Sequence, residues 1–566
     1  MNYYSENREL RHFLKHPLLK RIVEMKEAGY AQSGEYDYAP VDFDEAMYGY
    51  GQVLYLVGEL CADVIAPNAV RVECEGPSVA DGRVVYAPAT TENFDIFGKA
   101  GLMGISLPRR FGGLNFPTAI FTMIQELVCR ADAAFGNIWG LQDCAATIYN
   151  FGSDAQRERY LPMVCAGATM SMDLTEPDAG SDLQSVRLKA SYSEEDGCWY
   201  LDGVKRFITN GDSDIHLVLA RSEEGSVDGR GLSLFICEKS CGKVRTRRIE
   251  DKMGIHGSPT CEVVFDHAPA ELCGSRKMGL IKYVMSLMNG ARLGIATQSV
   301  AIAQAAYSEA LGYARSRRQF GKAIIELPPV YGMVGTMKAR LDAARSLLYE
   351  TARNVDMSYQ FAELARVRTL TPEERAESKL FSKKADALTP LIKGMGSEIA
   401  NMNAYDAVQV HGGSGYMKDY LCERLYRDAR ITSIYEGTTQ LQVVAAIRYA
   451  TSGYYGELLG EYLAEPVPAS LLSLHARVES MVGRYMVTLE QVQMLGSQEA
   501  LDFLARRIYE MAAYCIMAAL LLRDAAMDEE LFASSLFRFV SLAESEIVAH
   551  AVYIENFDNK LLNQYK

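Results

Sequence analysis

Over the first 165 or so residues, apolar positions recur at helical spacing. Val53, Leu54, Val57, Leu60, Val64 and Ile65 fall on one side of a 3.6-residue repeat, and Pro67 is expected to punctuate it. A Gly-rich loop, Phe111-Gly112-Gly113, precedes a helix expected around Ile120 to Val128. From about residue 166 to 275 the pattern shortens to β-rich runs: Trp199-Tyr200-Leu201, His216 to Leu219 and Leu232 to Ile236. Asp196-Gly197, Asp202-Gly203, Asn210-Gly211 and Asp228-Gly229 read as turns between them. Closely spaced strands with such turns predict a small antiparallel sandwich or barrel. From Gly279 onward the period is helical again, with an Ala-rich stretch from Ala291 to Ala314. Leu474, Val478, Met481, Tyr485 and Leu489 form one apolar stripe, and a helix expected over 498–526 is apolar nearly all round, which predicts burial.

The pattern therefore predicts an α+β, mostly α chain in four parts. These are an N-terminal helical domain (1–165), a middle β domain (166–275), a helical bundle (276–450) and a further helical segment (451–566). A length of 566 residues agrees with three or four domains. Composition changes little, with 49% apolar and 23% charged residues, as in an ordinary globular chain. A net charge of −14 argues against general nucleic-acid binding, which needs clustered cations, but leaves room for an anionic small molecule in a locally basic pocket. The twelve cysteines stand singly, without metal-ligand spacing, and read as reduced thiols with no metal bound. Met1 to Leu10 lacks an apolar signal core, and the apolar run Met511 to Leu522 is too short to span a bilayer. The expectation is a cytoplasmic protein with no membrane span.

Five stretches carry candidate chemistry. In Leu174-Thr175-Glu176-Pro177-Asp178-Ala179-Gly180-Ser181-Asp182, Gly180 and Ser181 could bring backbone N–H groups to a phosphate, or could form a plain turn. Lys205-Arg206-Phe207-Ile208-Thr209-Asn210-Gly211 places an aromatic and a hydroxyl on one strand face, to flank a flat ring or to build an ordinary hairpin. Arg315-Ser316-Arg317-Arg318-Gln319-Phe320-Gly321-Lys322 ends a helix in cations that suit either a pyrophosphate or solvent. Gln409-Val410-His411-Gly412-Gly413-Ser414-Gly415 permits close backbone approach. Glu436, between Ile434-Tyr435 and Gly437-Thr438, could be a surface carboxylate or a desolvated base.

In identity, order and spacing these stretches resemble the acyl-CoA dehydrogenase family, from about residue 45 to 450. The C-terminal segment and Met288 to Gly294 look most like its larger bacterial branch, which includes enzymes acting on 3-methylmercaptopropionyl-CoA. The resemblance implies that family's fold: a helical N-terminal domain, a middle β-barrel or sandwich, and a four-helix bundle, here with an additional helical C-terminal segment. It implies FAD, held by Met172, Leu174, Thr175, Gly180, Ser181, Phe207, Ile208 and Thr209. A neighbouring subunit would add Arg317, Gln319, Phe320, Gln409, Gly412 and Gly413, and Thr438 and Gln440 would also touch FAD. The CoA ester would meet Ser181, Asn289, Arg292, Gly437 and Arg448. Glu436 would be the base that removes the α-proton while hydride leaves to flavin N5, giving a trans-2-enoyl-CoA in fatty acid β-oxidation. An electron-transfer flavoprotein would accept the electrons, and a shared FAD site implies a homodimer or homotetramer.

One rival can be tested on the residues themselves. Some family members carry the base just before an arginine that corresponds to Arg292; here Ala291 precedes it, and no Asp or Glu lies between Glu271 and Glu309. The chain departs from the family where many relatives have Trp for Phe207, His-Gln for Leu327-Pro328, and a basic residue for Val443. An acyl-CoA oxidase of the same fold, or a non-catalytic flavin- or CoA-binding scaffold, are the competing readings. Trp139, Gln142 and Tyr416 are read as core packing rather than pocket lining. The apolar C-terminal helices, including Ile508, Met511, Cys515 and Leu522, are expected to bury against the bundle or a partner subunit.

Overall fold

In the computed structural model, which describes residues 1–564, the chain forms two compact units. The first comprises Met1–Glu6 and Pro17–Gly294; the second comprises Asn7–His16 and Ile295 onward.

The first unit begins with helices, as the apolar spacing predicts. Pro67 does not stop the one over Phe43–Leu60. A π-helical turn, Cys61–Ile65, shifts the hydrogen-bond ladder, and the helix resumes over Ala66–Glu75 with the proline in its first turn, where a missing N–H is tolerated. Taken together, Phe43–Glu75 is long and apolar enough to cross a membrane by length and composition alone. Leu54, Val57, Cys61 and Ile65 on its inner side are fully buried.

Seven strands follow: β1 (Met170–Asp173), β2 (Lys189–Ser193), β3 (Cys198–Thr209), β4 (Ile215–Arg221), β5 (Leu232–Glu238), β6 (Val244–Ile249) and β7 (Thr260–Cys273). β4 neighbours β2, then β3, β7 and β5 follow, and β5 pairs back onto β4, so the sheet closes into a barrel. β1 lies parallel to β4 at its side. Alternation sorts the side chains: Val218, Ala220 and Phe235 enter the barrel core with Val263 and Phe265. Ile215, Leu217 and Leu219 face the other way, onto Ile148, Tyr160 and Leu161 of the preceding helices. Asp196-Gly197 is the β2–β3 hairpin turn, but Asp202-Gly203 is not a turn. It lies inside β3 at a register shift, where Gly203 takes a φ of 146° and passes close to Leu188, which suits a residue without a side chain.

The second unit contains the rest of α1 (Met285–Ser316) and then α2 (Pro328–Val367), α3 (Pro372–His411), α4 (Leu421–Thr432), α5 (Thr439–Thr451), α6 (Tyr454–Leu463), α7 (Leu472–Met494), α8 (Gln498–Met527) and α9 (Glu529–Glu555). α2 and α3 run side by side, and Thr371 with Glu374 caps the start of α3 reciprocally. The stripe predicted on α7 is buried, and α8 is enclosed by α2, α5, α6, α7 and α9, which explains its all-round apolarity. A buried ionic cluster ties this extension to the bundle: Arg523 and Arg353 share the Glu350 carboxylate, which Tyr462 also reaches. The charges around Glu350 hold its pKa well below the usual value despite burial.

Candidate functional site

In the first unit, β1 turns Ser171 and Asp173 inward, where they meet buried His216, and leaves Met172 half-exposed. The chain beyond β1 is held from behind. Lys205, fully buried on β3, donates to the Leu174 carbonyl and to Glu176 Oε1, each at 2.9 Å. Glu176 in turn accepts the amides of Arg187 and Leu188. Burial lowers the Lys205 pKa, while the Glu176 charge opposes that shift. Arg206 N–H donates to the Thr175 carbonyl.

A second register shift, between Lys205 and Ile208, breaks the strand at the stretch that sequence reasoning reads as a ring-flanking face. Phe207 takes a positive φ of 60°, is 51% exposed and lies under the Arg206 guanidinium, while Ile208 is buried. Thr209 and Thr175 stay half-buried, and Gly180 and Ser181 are exposed. The bulge thus exposes the Phe207 ring, with half-buried Thr209 two residues on and Thr175 joined to the neighbouring Arg206 through the main chain.

Farther along this unit, Arg292 donates to Asn289 at 3.3 Å, and Asp143 Oδ2 lies 3.4 Å from the position a Gly290 Cβ would take. Burial pushes the Asp143 carboxyl up to about 6, against the pull of Lys26. Sequence reasoning missed Asp143, because a lone Asp in a helical stretch carries no spacing signal. It took Trp139 and Gln142 as core, which they are: Trp139 donates to the Leu102 carbonyl, and Gln142 is pinned to Ile105 and Leu102. Tyr416, taken as core too, is 80% exposed, because it sits in a 3-10 turn beyond the end of α3.

In the second unit, Glu436 occupies the connection between α4 and α5. It is half-buried, with a left-handed φ of 52°, followed by Gly437 at 89°. Thr438 caps α5 with its hydroxyl, and Gln440 and Arg448 are exposed on that helix. Tyr435 donates its hydroxyl to Gln298 of α1. Gln442, fully buried, donates to the Glu436 and Gly437 carbonyls at 3.4 and 3.0 Å. Buried Lys393 of α3 also donates to the Gly437 carbonyl.

The remaining predicted residues gather at another end of this unit. Arg317, Gln319 and Phe320 lie on a small exposed hairpin after α1, and Phe320 is 89% exposed. Gln409, Gly412 and Gly413 end α3, where His411 stacks on Tyr313 at 4.1 Å. Tyr313 also reaches Ser414, so the structure brings the two sets together. His411 and Lys393 are separated along α3 by roughly 27 Å at 1.5 Å per residue. Within one chain the Gln409–Gly413 turn therefore stands well away from Glu436.

Family models cover nearly the whole chain: the acyl-CoA dehydrogenase N-terminal domain at 52–168, the middle domain at 171–268, the C-terminal domain at 281–448, and a further acyl-CoA dehydrogenase C-terminal model at 451–562. The chain is 35% identical over 431 residues to 3-methylmercaptopropionyl-CoA dehydrogenase of Ruegeria pomeroyi, covering 72% of this chain and 70% of that protein. Butyryl-CoA dehydrogenase from Megasphaera elsdenii has a similar structure, with TM-score 0.61 and 28% identity, covering 70% of this chain and 97% of that one. An acyl-CoA dehydrogenase complexed with FAD from Bacillus anthracis matches in fold with TM-score 0.73 at 24% identity, covering 93% of this chain and 91% of that one.

Proposed function

Because this chain belongs to the acyl-CoA dehydrogenase family, we propose that it removes the α- and β-hydrogens of an acyl-CoA thioester with FAD as acceptor and Glu436 as base. The observation that carries the reading is Glu436 itself: a half-buried carboxylate on a turn pinned by Gln442 and Lys393. A turn whose main chain is held in this way gives its carboxylate a defined origin, which suits proton abstraction, because geometry limits general-base catalysis before pKa does.

The residues on the barrel suit a flavin. The bulge at Phe207 offers one exposed aromatic face, Thr175 and Thr209 add hydroxyls, and exposed Gly180 and Ser181 can approach a phosphate with backbone N–H groups. FAD, when bound, supplies a two-electron acceptor for the β-hydrogen, which leaves the substrate as hydride. Glu436 takes the α-proton, and its backbone N–H serves the thioester carbonyl as charge develops there. Asn289, Arg292, Gly437, Ser181 and Arg448 hold the ester and the CoA. Arg317, Gln319, Phe320, Gln409, Gly412 and Gly413 complete the FAD site of a second copy, which accounts for their separation from Glu436 and for the exposure of Phe320. An electron-transfer flavoprotein then reoxidises the enzyme.

The test is anaerobic bleaching of the flavin by short, medium, branched, dicarboxylic and aromatic acyl-CoA thioesters. At least one should reduce the wild-type holoenzyme. Glu436→Gln should retain FAD and lose about 1,000-fold or more of the reduction rate, within the range general-base removal produces; a wild-type rate would overturn the assignment. Rapid reoxidation of the reduced, product-bound enzyme by air would favour an oxidase instead.

A further inference from the structure

Most of α3 facing its neighbours is apolar: Leu388, Leu391, Ile392, Met395, Ile399 and Ala400 are buried. Polar residues interrupt this face four apart and so lie on one side of the helix: Thr389 bonds back to Ala385 of its own helix, and Lys393, Ser397 and Asn401 follow it; the last three face a neighbouring segment. Lys393, Ser397 and Asn401 each bind a main-chain carbonyl of the stretch from Ala429 to Gly437 that contains Glu436. Asn401 donates to Ala429 at 3.1 Å, Ser397 shares its one hydroxyl proton between Thr432 at 2.8 Å and its own helix at Lys393, and Lys393 donates to Gly437. The stripe thus grips the end of α4 and the turn beyond it at successive points.

The turn needs such a grip. A left-handed conformation costs a non-glycine residue about 1–2 kcal/mol, so Glu436 holds it only where its surroundings impose it. A Cβ on Gly437 would lie 2.8 Å from Gln442 Nε2, so the space behind the turn is already filled.

The helix carrying Lys393 is itself held from the C-terminal extension. Tyr509 of α8, 1% exposed, donates its hydroxyl to the carbonyls of Pro390 and Leu391 at 3.0 and 3.1 Å. It occupies the space that glycine leaves at position 394, where a Cβ would fall 2.0 Å from the Tyr509 oxygen. The same missing Cβ lies 3.5 Å from Gln442. Tyr509, Gly394, Lys393 and Gln442 therefore form one packed group directly behind the Glu436 turn.

We propose that Lys393 is a positioning residue for Glu436, and that the C-terminal extension sets Lys393 through the Tyr509 contact with the Pro390–Gly394 turn of α3. This rests on the reading of Glu436 as the base. The extension's part in catalysis is then indirect: it fixes the register of the helix whose lysine fixes the turn.

The experiment is stopped-flow anaerobic flavin reduction on FAD-loaded full-length protein, with whichever acyl-CoA the wild type turns over. Lys393→Met should lower the limiting reduction rate about 100-fold with KM within about 3-fold, because a shift of an ångström or so at a reacting group has effects of that size. Lys393→Arg should recover at least about tenfold of that loss, which loss of packing volume alone would not predict. Tyr509→Phe should lower the rate about 5-fold in the wild-type background and leave it unchanged in Lys393→Met, since residues acting through one another are non-additive. A wild-type rate per bound flavin in Lys393→Met overturns the positioning role. An equal effect of Tyr509→Phe in both backgrounds overturns the link to the extension. Should Lys393→Met fail to fold, Lys393→Gln takes its place in the same comparison with Tyr509→Phe. Failure of the base reading shows separately, as a wild-type rate in Glu436→Gln.

Discussion

Lys205 in the barrel and Lys393 in the helical unit are both fully buried, and each donates to a main-chain carbonyl beside candidate ligand residues. Their surroundings differ. Lys205 works with a carboxylate from the very segment it holds: Glu176 sits two residues after the Leu174 carbonyl and also takes two backbone amides. Lys393 reaches across 44 residues of sequence to a turn, within a stripe whose acceptors there are backbone carbonyls. The barrel segment is held partly through its own Glu176. The base turn depends on another helix, and that helix on the extension.

The largest effect should come from breaking the barrel pair. Glu176→Ala leaves a buried lysine without its carboxylate and two amides without their acceptor. Removing one member of a buried pair costs about 3–5 kcal/mol. Urea unfolding should show that loss together with a lower FAD content per chain. A loss below about 1 kcal/mol would mean that water or a neighbour replaces Glu176, and the contrast with Lys393 would disappear.

Much of this architecture could be read from the residues. Short β-rich runs located three of the barrel strands, β3, β4 and β5, and helical apolar spacing located helices, including fully enclosed α8. Glu176 was visible as part of a motif, although its partner Lys205 was read only as the start of a strand. The supports of the Glu436 turn were not legible. Lys393, Ser397 and Asn401 look like scattered polar residues until the helix and its neighbour are known, and Tyr509 looks like one more apolar position. Local pattern also failed at Pro67, where a π-turn absorbs the break, and at Asp202-Gly203, where a bulge takes the place of a turn. In both cases a shift of one residue in a hydrogen-bond ladder decides the outcome, and composition does not encode that shift.

Gly437→Ala probes the helical side with a smaller effect. The substituted residue would have to keep a φ near 89° and accommodate a Cβ 2.8 Å from Gln442 Nε2. The expected cost is about 1–2 kcal/mol of stability, with a reduction rate lowered more than KM is raised. An unchanged reduction rate would show that the turn tolerates relaxation and that Lys393 holds nothing catalysis needs.

The smallest predicted effect is a pH slope at Lys205. Burial lowers the Lys205 pKa in the folded protein below its ordinary value near 10.4. Between the lowered value and the ordinary one, the unfolded chain binds more protons at this site than the folded chain does. Stability contributed by this group therefore rises with pH across that window, as linkage requires. Replacing the pair together, Lys205→Met with Glu176→Leu, removes the titration without leaving one charge alone; the Arg187 and Leu188 amides still lose their acceptor, a cost that does not vary with pH. The melting temperature of the wild type relative to this double variant should therefore climb as pH is raised from about 8 to about 10. A difference that stays flat would mean that Lys205 keeps its ordinary affinity for the proton. The Glu176 carboxylate would then offset the whole desolvation of the ammonium, making the barrel anchor a balanced ion pair rather than a buried charge held at a cost.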